Sequence, residues 1–248
     1  MRVIVTRPAA QAGRWLTALR GHGLDAQALP LMGIAPPSDL QPVRAAWAQL
    51  HQAALVMFVS ANAVEQFFAA RPVGLAWPDG LAAASTGPGT SEALRAAGVV
   101  CIEEPAPDAA QFDSEALWAR IAHRPWAGRS VWVVRGEEGR DWLAQQLHGA
   151  GAQVRFVQAY RRLAPVLNAA ERAVLAQALA APADHCWLFS SSEAIGHLLR
   201  LAPGTDWRAQ RALASHPRIA QAARDAGFGR VELVPVGTEG VLRHLGVA

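Results

Sequence analysis

The sequence predicts an α/β protein made of two parallel-sheet lobes, and three observations carry that prediction. The first is internal repetition. Val3-Ile4-Val5-Thr6-Arg7-Pro8 returns as Val131-Trp132-Val133-Val134-Arg135-Gly136, and Met57-Phe58-Val59-Ser60-Ala61-Asn62 returns as Trp187-Leu188-Phe189-Ser190-Ser191-Ser192. Pro88, with Ala97-Gly98 behind it, returns as Pro217 with Ala226-Gly227. The spacing is 128 residues from Arg7 to Arg135, 130 from Ser60 to Ser190 and 129 from Pro88 to Pro217. A period this long is no solenoid and points to a duplicated lobe. The second observation is that short apolar runs alternate with segments of helical period. The third is that those runs are almost continuously apolar, the pattern of strands covered on both faces of a parallel sheet.

Each half is predicted to open β-α-β. Residues 2–6 read as a strand, Pro8 suits a first helical turn, and Trp15, Leu16 and Leu19 lie at helical spacing before Gly21 and Gly23 stop the run. Residues 24–30 then read as extended. The second half repeats this with a strand at 131–134, a helix at 137–148 carrying Trp142, Leu143 and Leu147, a stop at Gly149/Gly151 and a strand at 152–158. Irregular, proline-bearing segments follow at 30–37 and 159–166. Helices are predicted at 39–50 and 168–180, buried strands at 54–59 and 185–189, and strand–helix units at 81–97 and 212–226, ending at Gly98 and Gly227. Short strands at 99–103 and 230–234 precede helices at 113–123 and 238–245, with Ser114 and Thr238 as expected caps. The drawing that results is two flavodoxin-like lobes.

Composition narrows the chemistry. Of 248 residues, 52% are hydrophobic and 17% charged, so a core is available and wholesale disorder is excluded. There is no lysine; all 23 basic residues besides histidine are arginine, which a GC-rich coding sequence would explain. The absence removes lysine Schiff bases, pyridoxal-phosphate lysines, P-loops and the protein-kinase lysine. A net charge of +3 is too small to argue for nucleic acid. No apolar run has the length of a signal peptide or a membrane span, so a cytoplasmic protein is expected. Cys101 and Cys186 lie in apolar runs and read as buried, reduced thiols. With two distant cysteines and no histidine spacing, no metal site is expected.

In open parallel sheets ligands bind beyond the carboxyl ends of the strands. The residues there are Thr6-Arg7, Ser60-Ala61-Asn62, Ser85-Thr86-Gly87-Pro88-Gly89-Thr90, Arg135-Gly136, Ser190-Ser191-Ser192 and Ser215-His216-Pro217-Arg218. Small hydroxyls, glycines and arginines at helix N-termini favour anions, because backbone N–H groups and the positive helix end both face the ligand. Taken singly, each serine or threonine is an ordinary cap and Ser85–Thr90 matches no nucleotide fingerprint. Tyr160 is the sole tyrosine and falls at the expected connector between lobes. A phenol ordinarily titrates near pH 10, so it would be a protonated donor, or simply a strand aromatic with a bonded hydroxyl. His216 follows a strand and could approach a ligand. The tryptophans read as packing.

These turns, in this order, resemble the uroporphyrinogen-III synthase family. The resemblance rests on Val5-Thr6-Arg7-Pro8, Phe58-Val59-Ser60-Ala61-Asn62-Ala63-Val64, Thr86-Gly87-Pro88-Gly89-Thr90, Val134-Arg135-Gly136, Val157-Gln158-Ala159-Tyr160-Arg161 and Phe189-Ser190-Ser191-Ser192. It implies two lobes joined by two crossing connectors, with residues 1–35 plus 165–248 as one lobe and 36–164 as the other. It implies cyclisation of hydroxymethylbilane to uroporphyrinogen III with loss of water and inversion of the last pyrrole ring, without a cofactor; nothing in the sequence suggests an obligate oligomer, so a monomer is expected. Tyr160 would sit in a cleft and protonate the departing hydroxyl. Thr6, Arg7, Ser60, Asn62, Gly87, Pro88, Gly89, Thr90, Arg135, Ser190, Ser191, Ser192, His216 and Arg218 would bind the polycarboxylate substrate. The sequence departs from the pattern at Ser215-His216-Pro217-Arg218-Ile219, where a hydroxyl near 218–219 is missing and Arg218 offers a carboxylate partner instead. No nucleic-acid or membrane partner is implied, and transient contact with other heme-pathway enzymes stays open. Two other readings compete. One is a non-catalytic two-lobe binding protein for a small organic anion; the other is a two-lobe glycosyltransferase.

Overall fold

The computed structural model describes residues 1–247 apart from 107, 108, 110 and 138. In chain order the elements begin β1 (Arg2–Val5), α1 (Ala9–Gly21), β2 (Asp25–Ala28), β3 (Gly33–Ala35), α2 (Gln41–Gln49), β4 (Leu55–Phe58) and α3 (Ala61–Ala69). Next come β5 (Ala83–Ser85), α4 (Pro88–Ala96), β6 (Ile102–Glu103), α5 (Ser114–Ile121), β7 (Ser130–Gly136), α6 (Trp142–Gly149) and β8 (Gln153–Leu163). The chain closes with α7 (Ala169–Ala180), β9 (His185–Phe189), α8 (Ser192–Leu201), β10 (Arg211–Ala214), α9 (Pro217–Asp225), β11 (Arg230–Leu233) and α10 (Thr238–His244). They divide into a unit of Met1–Gly33 with Leu163–Ala248 and a unit of Ile34–Arg162.

The first unit holds a five-stranded sheet ordered β11-β10-β9-β1-β2, and the second a six-stranded sheet ordered β3-β8-β7-β4-β5-β6. Counted along the chain, the first is the flavodoxin order, 2-1-3-4-5. The second has the same order if counting starts at β7, so β7, β8, β4, β5 and β6 stand where β1, β2, β9, β10 and β11 stand in the first. That is the correspondence the repeated segments predict. All five strands of that set pair in parallel in each unit.

Alternation along the central strands explains both faces. Ile4, Trp187 and Phe189 point into a cluster with Leu198, Trp207 and Phe228, whereas Val3, Val5, Cys186 and Leu188 point into one with Trp15 and Leu19. In the second unit Val56, Phe58, Trp132 and Val134 face one side, and Leu55, Met57, Val131 and Val133 the other. Each fully buried side chain of this size contributes roughly 1.5–3 kcal/mol. Buried tryptophan tips are bonded internally in both units: Trp187 Nε1 donates to Gln210 Oε1 at 2.9 Å, and Trp47 Nε1 to the Phe67 carbonyl at 2.8 Å.

Several elements differ from the sequence prediction for local reasons. The segment predicted irregular from 159 is strand to Leu163, because β8 pairs with β7 through Tyr160 and stops only short of Pro165. The other connector holds β3, which neighbours β8. The helix predicted from 137 starts at Trp142; Glu138, within that span, lies outside the described residues. The cap of α5 is Asp113, whose carboxylate accepts from Ala116 N, and that of α10 is Gly237 at φ 97°, so neither Ser114 nor Thr238 caps. Cys101 is exposed, since it leads into the short edge strand β6, whereas Cys186 is buried and its thiol is pushed up to about 12 by that burial.

Candidate functional site

In each unit the carboxyl ends of adjacent parallel strands gather the residues that the sequence singled out. In the first unit β1, β9 and β10 are neighbours, which brings Thr6-Arg7, Ser190–Ser192 and Ser215–Arg218 to one sheet edge. In the second, β8, β7, β4 and β5 are neighbours, which gathers Tyr160, Arg135-Gly136, Ser60-Asn62 and Gly87–Thr90. The topological switch points, where a crevice opens in this fold, lie between β1 and β9 and between β7 and β4.

At the first unit's edge the hydroxyl of Thr6 is bonded within the sheet. Thr6 is 2% exposed, and its Oγ1 donates to the Leu188 carbonyl at 2.7 Å. That hydroxyl pins β1 to β9. Arg7 is half-buried, with Nη1 3.3 Å from Gln11 Oε1 and its guanidinium 4.5 Å above the Trp15 ring. Ser191 caps α8 by accepting from Glu193 N at 3.2 Å, while Ser190 is half-buried and Ser192 exposed. His216 fills the cap position usually held by an oxygen: its Nδ1 accepts from Arg218 N at 3.1 Å, which requires the lone pair on that nitrogen. The Arg218 side chain is exposed and forms no ion pair among the described residues, so it can receive a carboxylate.

The second unit's edge is built on two packed helix N-termini, α3 and α4. Ser60 caps α3 through Oγ, accepting from Ala63 N at 3.2 Å, with Asn62 in the first turn. Gly87 caps α4, Pro88 opens it, and a side chain added at Gly89 would meet nothing within 4 Å, so open space faces that turn. Thr90 is 7% exposed and turned inward, above a buried hydroxyl pair in which Ser85 Oγ and Ser91 Oγ lie 2.6 Å apart. The first N–H groups of both helices have no intrahelical acceptor and carry the positive end of the dipole.

Arg135 is held by its own neighbours. Its guanidinium pairs with Asp141, donates to the Gly139 carbonyl at 3.0 Å and lies 5.0 Å over the Phe156 ring, with only 12% of the side chain exposed. Those contacts tie Arg135 to Gly139 and Asp141 and occupy two of the guanidinium's five N–H donors.

Tyr160, expected to face a cleft, is 0% exposed and belongs to the second unit's core cluster. Its register partner on β7 is Gly136, where an added Cβ would come within 3.0 Å of the tyrosine Cε2 and Cζ. The phenol oxygen lies 3.2 Å from Ser60 Oγ and 3.5 Å from Arg162 Nη2, and the Arg162 guanidinium stands 5.9 Å from the ring centre. Gly136 was picked out from the sequence only as a strand-tip turn residue, and Arg162 was not singled out at all. Arg162 sits two residues beyond Tyr160, so strand periodicity would have placed both on one face had β8 been extended past 158.

A cavity of about 430 Å³ lies at the opposite end of the second unit's strands, lined by His51, Gln52, Arg129, Ser130, Gln153 and Arg155. None of the strand-tip residues lines it. Among the described residues no group of His, Cys, Asp or Glu is placed to hold a metal ion, and no helix is long and apolar enough to cross a membrane.

Comparison with known proteins gives one consistent result. The sequence profile of the family described as uroporphyrinogen-III synthase HemD matches residues 13–236. The uroporphyrinogen-III synthase of Salmonella typhimurium is 29% identical over 175 residues, covering 70% of each protein. That of Synechococcus elongatus is 32% identical over 168 residues, covering 66% of this chain and 61% of that protein's length. The crystal structure of a mutant uroporphyrinogen III synthase from Thermus thermophilus shares the fold, with a TM-score of 0.60 at 16% identity over 99% of this chain and 97% of that one. The enzyme from Helicobacter pylori shares it with a TM-score of 0.60 at 14% identity over the full length of both chains.

Proposed function

The chain belongs to the uroporphyrinogen-III synthase family, and from that premise we propose that it cyclises hydroxymethylbilane to uroporphyrinogen III, losing water and inverting the last pyrrole ring. The observation that carries this reading is the family match over residues 13–236, nine-tenths of the sequence. The role is one in tetrapyrrole biosynthesis. No cofactor is required, because the bilane closes without help and the enzyme's task is to hold one conformation while a hydroxyl departs.

Recognition follows from the substrate's chemistry. Its acetate and propionate carboxylates suit the N-termini of α3 and α4, the backbone of Gly87–Thr90, Asn62, Ser190, Ser192, Arg7 and the exposed guanidinium of Arg218. Tyr160 is the proton source for the departing hydroxyl. The resulting azafulvene cation is attacked by the last ring at its substituted carbon, giving a spirocyclic intermediate that reopens with that ring inverted. Because conformation supplies most of the effect, Tyr160→Phe lowers the rate by roughly 100-fold and leaves measurable turnover, the usual scale of a lost general acid. A folded Tyr160→Phe protein with no turnover above background contradicts this.

The test is multiple turnover. Given a large molar excess of hydroxymethylbilane, the protein releases many equivalents of cyclised, dehydrated product, assayed after oxidation to porphyrin. Capture of a single equivalent with no product would support a binding protein for an organic anion instead.

A further inference from the structure

We propose that Ser60, with Tyr160 behind it, is the hydroxyl that passes the proton to the leaving oxygen of the substrate; this assignment rests on the function proposed above. It follows from where the hydrogens of three side chains must point.

Tyr160 is 0% exposed, so its O–H needs an acceptor inside the protein. Among the described residues two side chains reach the phenol oxygen: Arg162 at 3.5 Å and Ser60 Oγ at 3.2 Å. A guanidinium only donates, which leaves Ser60 Oγ to receive the tyrosine's hydrogen. Ser60 Oγ also accepts from Ala63 N at 3.2 Å in its role as cap. A serine oxygen has two lone pairs, and both are then occupied. The remaining Ser60 hydrogen is directed away from Tyr160 and from the helix, and Ser60, unlike Tyr160, is partly exposed. The donors therefore run one way, from the Arg162 N–H to the Tyr160 O–H to the Ser60 O–H and outward. The chain ends beside the junction of β4 and β7, the switch point of the sheet.

The proton count closes. As the substrate's C–O bond breaks, its electron pair leaves with oxygen, which takes the Ser60 proton and departs as water. Ser60 takes the Tyr160 proton, and the phenolate left behind faces the Arg162 guanidinium. Ring closure later releases one proton from the pyrrole carbon that forms the new bond, and its return along the same path restores Tyr160. Ser60 is thus the catalytic residue, whereas Tyr160 and Arg162 act through it.

The experiment compares full-length Ser60→Ala, Ser60→Thr, Tyr160→Phe and the Ser60→Ala/Tyr160→Phe double variant with hydroxymethylbilane, measuring kcat, KM and a proton inventory in mixed light and heavy water. Ser60→Gly replaces Ser60→Ala if the latter is poorly folded, since glycine caps helices well. Expected are a loss in kcat of roughly 100-fold for Ser60→Ala with KM within about twofold, recovery in Ser60→Thr, and a double variant no slower than the slower single one. The wild-type inventory should be curved, as two protons move together. If Ser60→Ala stays within twofold of wild type while Tyr160→Phe slows, the phenol acts directly and the assignment fails, though the function stands. If wild type itself makes no type III product, the function fails first.

Discussion

Gly136 is the residue on which the Tyr160 ring rests. A methyl group there would stand 3.0 Å from Cε2 and Cζ, so Gly136→Ala must push the ring away from its neighbours by a few tenths of an ångström. The expected result is a several-fold fall in kcat with a stability loss of about 1–3 kcal/mol from overpacking; unchanged kinetics would show that the ring's place is not critical. Arg135 and Arg218 make a contrasting pair. Arg135→Gln should leave KM within about twofold and lower the melting temperature by a few degrees, because that guanidinium is held by Asp141 and the Gly139 carbonyl. Arg218→Gln should raise KM several-fold at unchanged melting temperature, because its side chain is exposed and has no ion pair among the described residues. Thermal unfolding and steady-state kinetics on the two variants would separate them, and the opposite pattern would reverse the two roles. The sequence exposed Tyr160 through its uniqueness but could not say that its hydroxyl is buried against Ser60, a residue 100 positions earlier. Nor could it show that Thr6 donates inward to Leu188. Hydroxyls at strand tips look alike until their partners are known.

At the scale of elements, β10, β11 and α10 are held together by Glu232, which accepts from Arg211 at 2.7 Å, lies 2.8 Å from Arg230 and 2.9 Å from His244 Nε2. Burial alone would raise this carboxyl, but the hydrogen bonds from Arg211 and His244 and the charges of Arg211 and Arg230 outweigh it and hold it below the ordinary glutamate value. A depressed carboxyl contributes stability above its unfolded-state value, about 4.3, and loses it as pH falls through the native one. Urea unfolding from pH 6 to pH 3 should therefore fall more steeply for wild type than for Glu232→Gln; parallel curves would remove Glu232 from the account. The regular elements were legible from apolar period, including the fully buried β9 and β4. Their ends were not. Pro165 made β8 look shorter than it is, because a proline limits a strand only at its own N–H, two residues beyond Leu163. Asp113 displaced Ser114 as cap by a single residue, a choice between two good capping side chains that composition does not make.

The whole molecule is a duplication in which one copy's strand order is entered at a different point. The matched segments revealed the repeat because Arg7, Ser60 and Pro88 keep nearly one spacing to their counterparts. The exchange of opening strands became legible only through the ordered resemblance, since β1 and β7 have the same local chemistry and nothing local says which sheet each joins. Strand order then accounts for the site: β4 beside β7 brings Ser60 to Gly136, and β8 beside β7 brings in Tyr160. The central claim, that these tips direct ring inversion, is tested most directly by the isomer composition of the product. Hydroxymethylbilane incubated with the protein, oxidised and resolved by chromatography should yield mainly the type III isomer, against type I alone without protein. Type I as the sole isomer at any protein concentration would contradict the account.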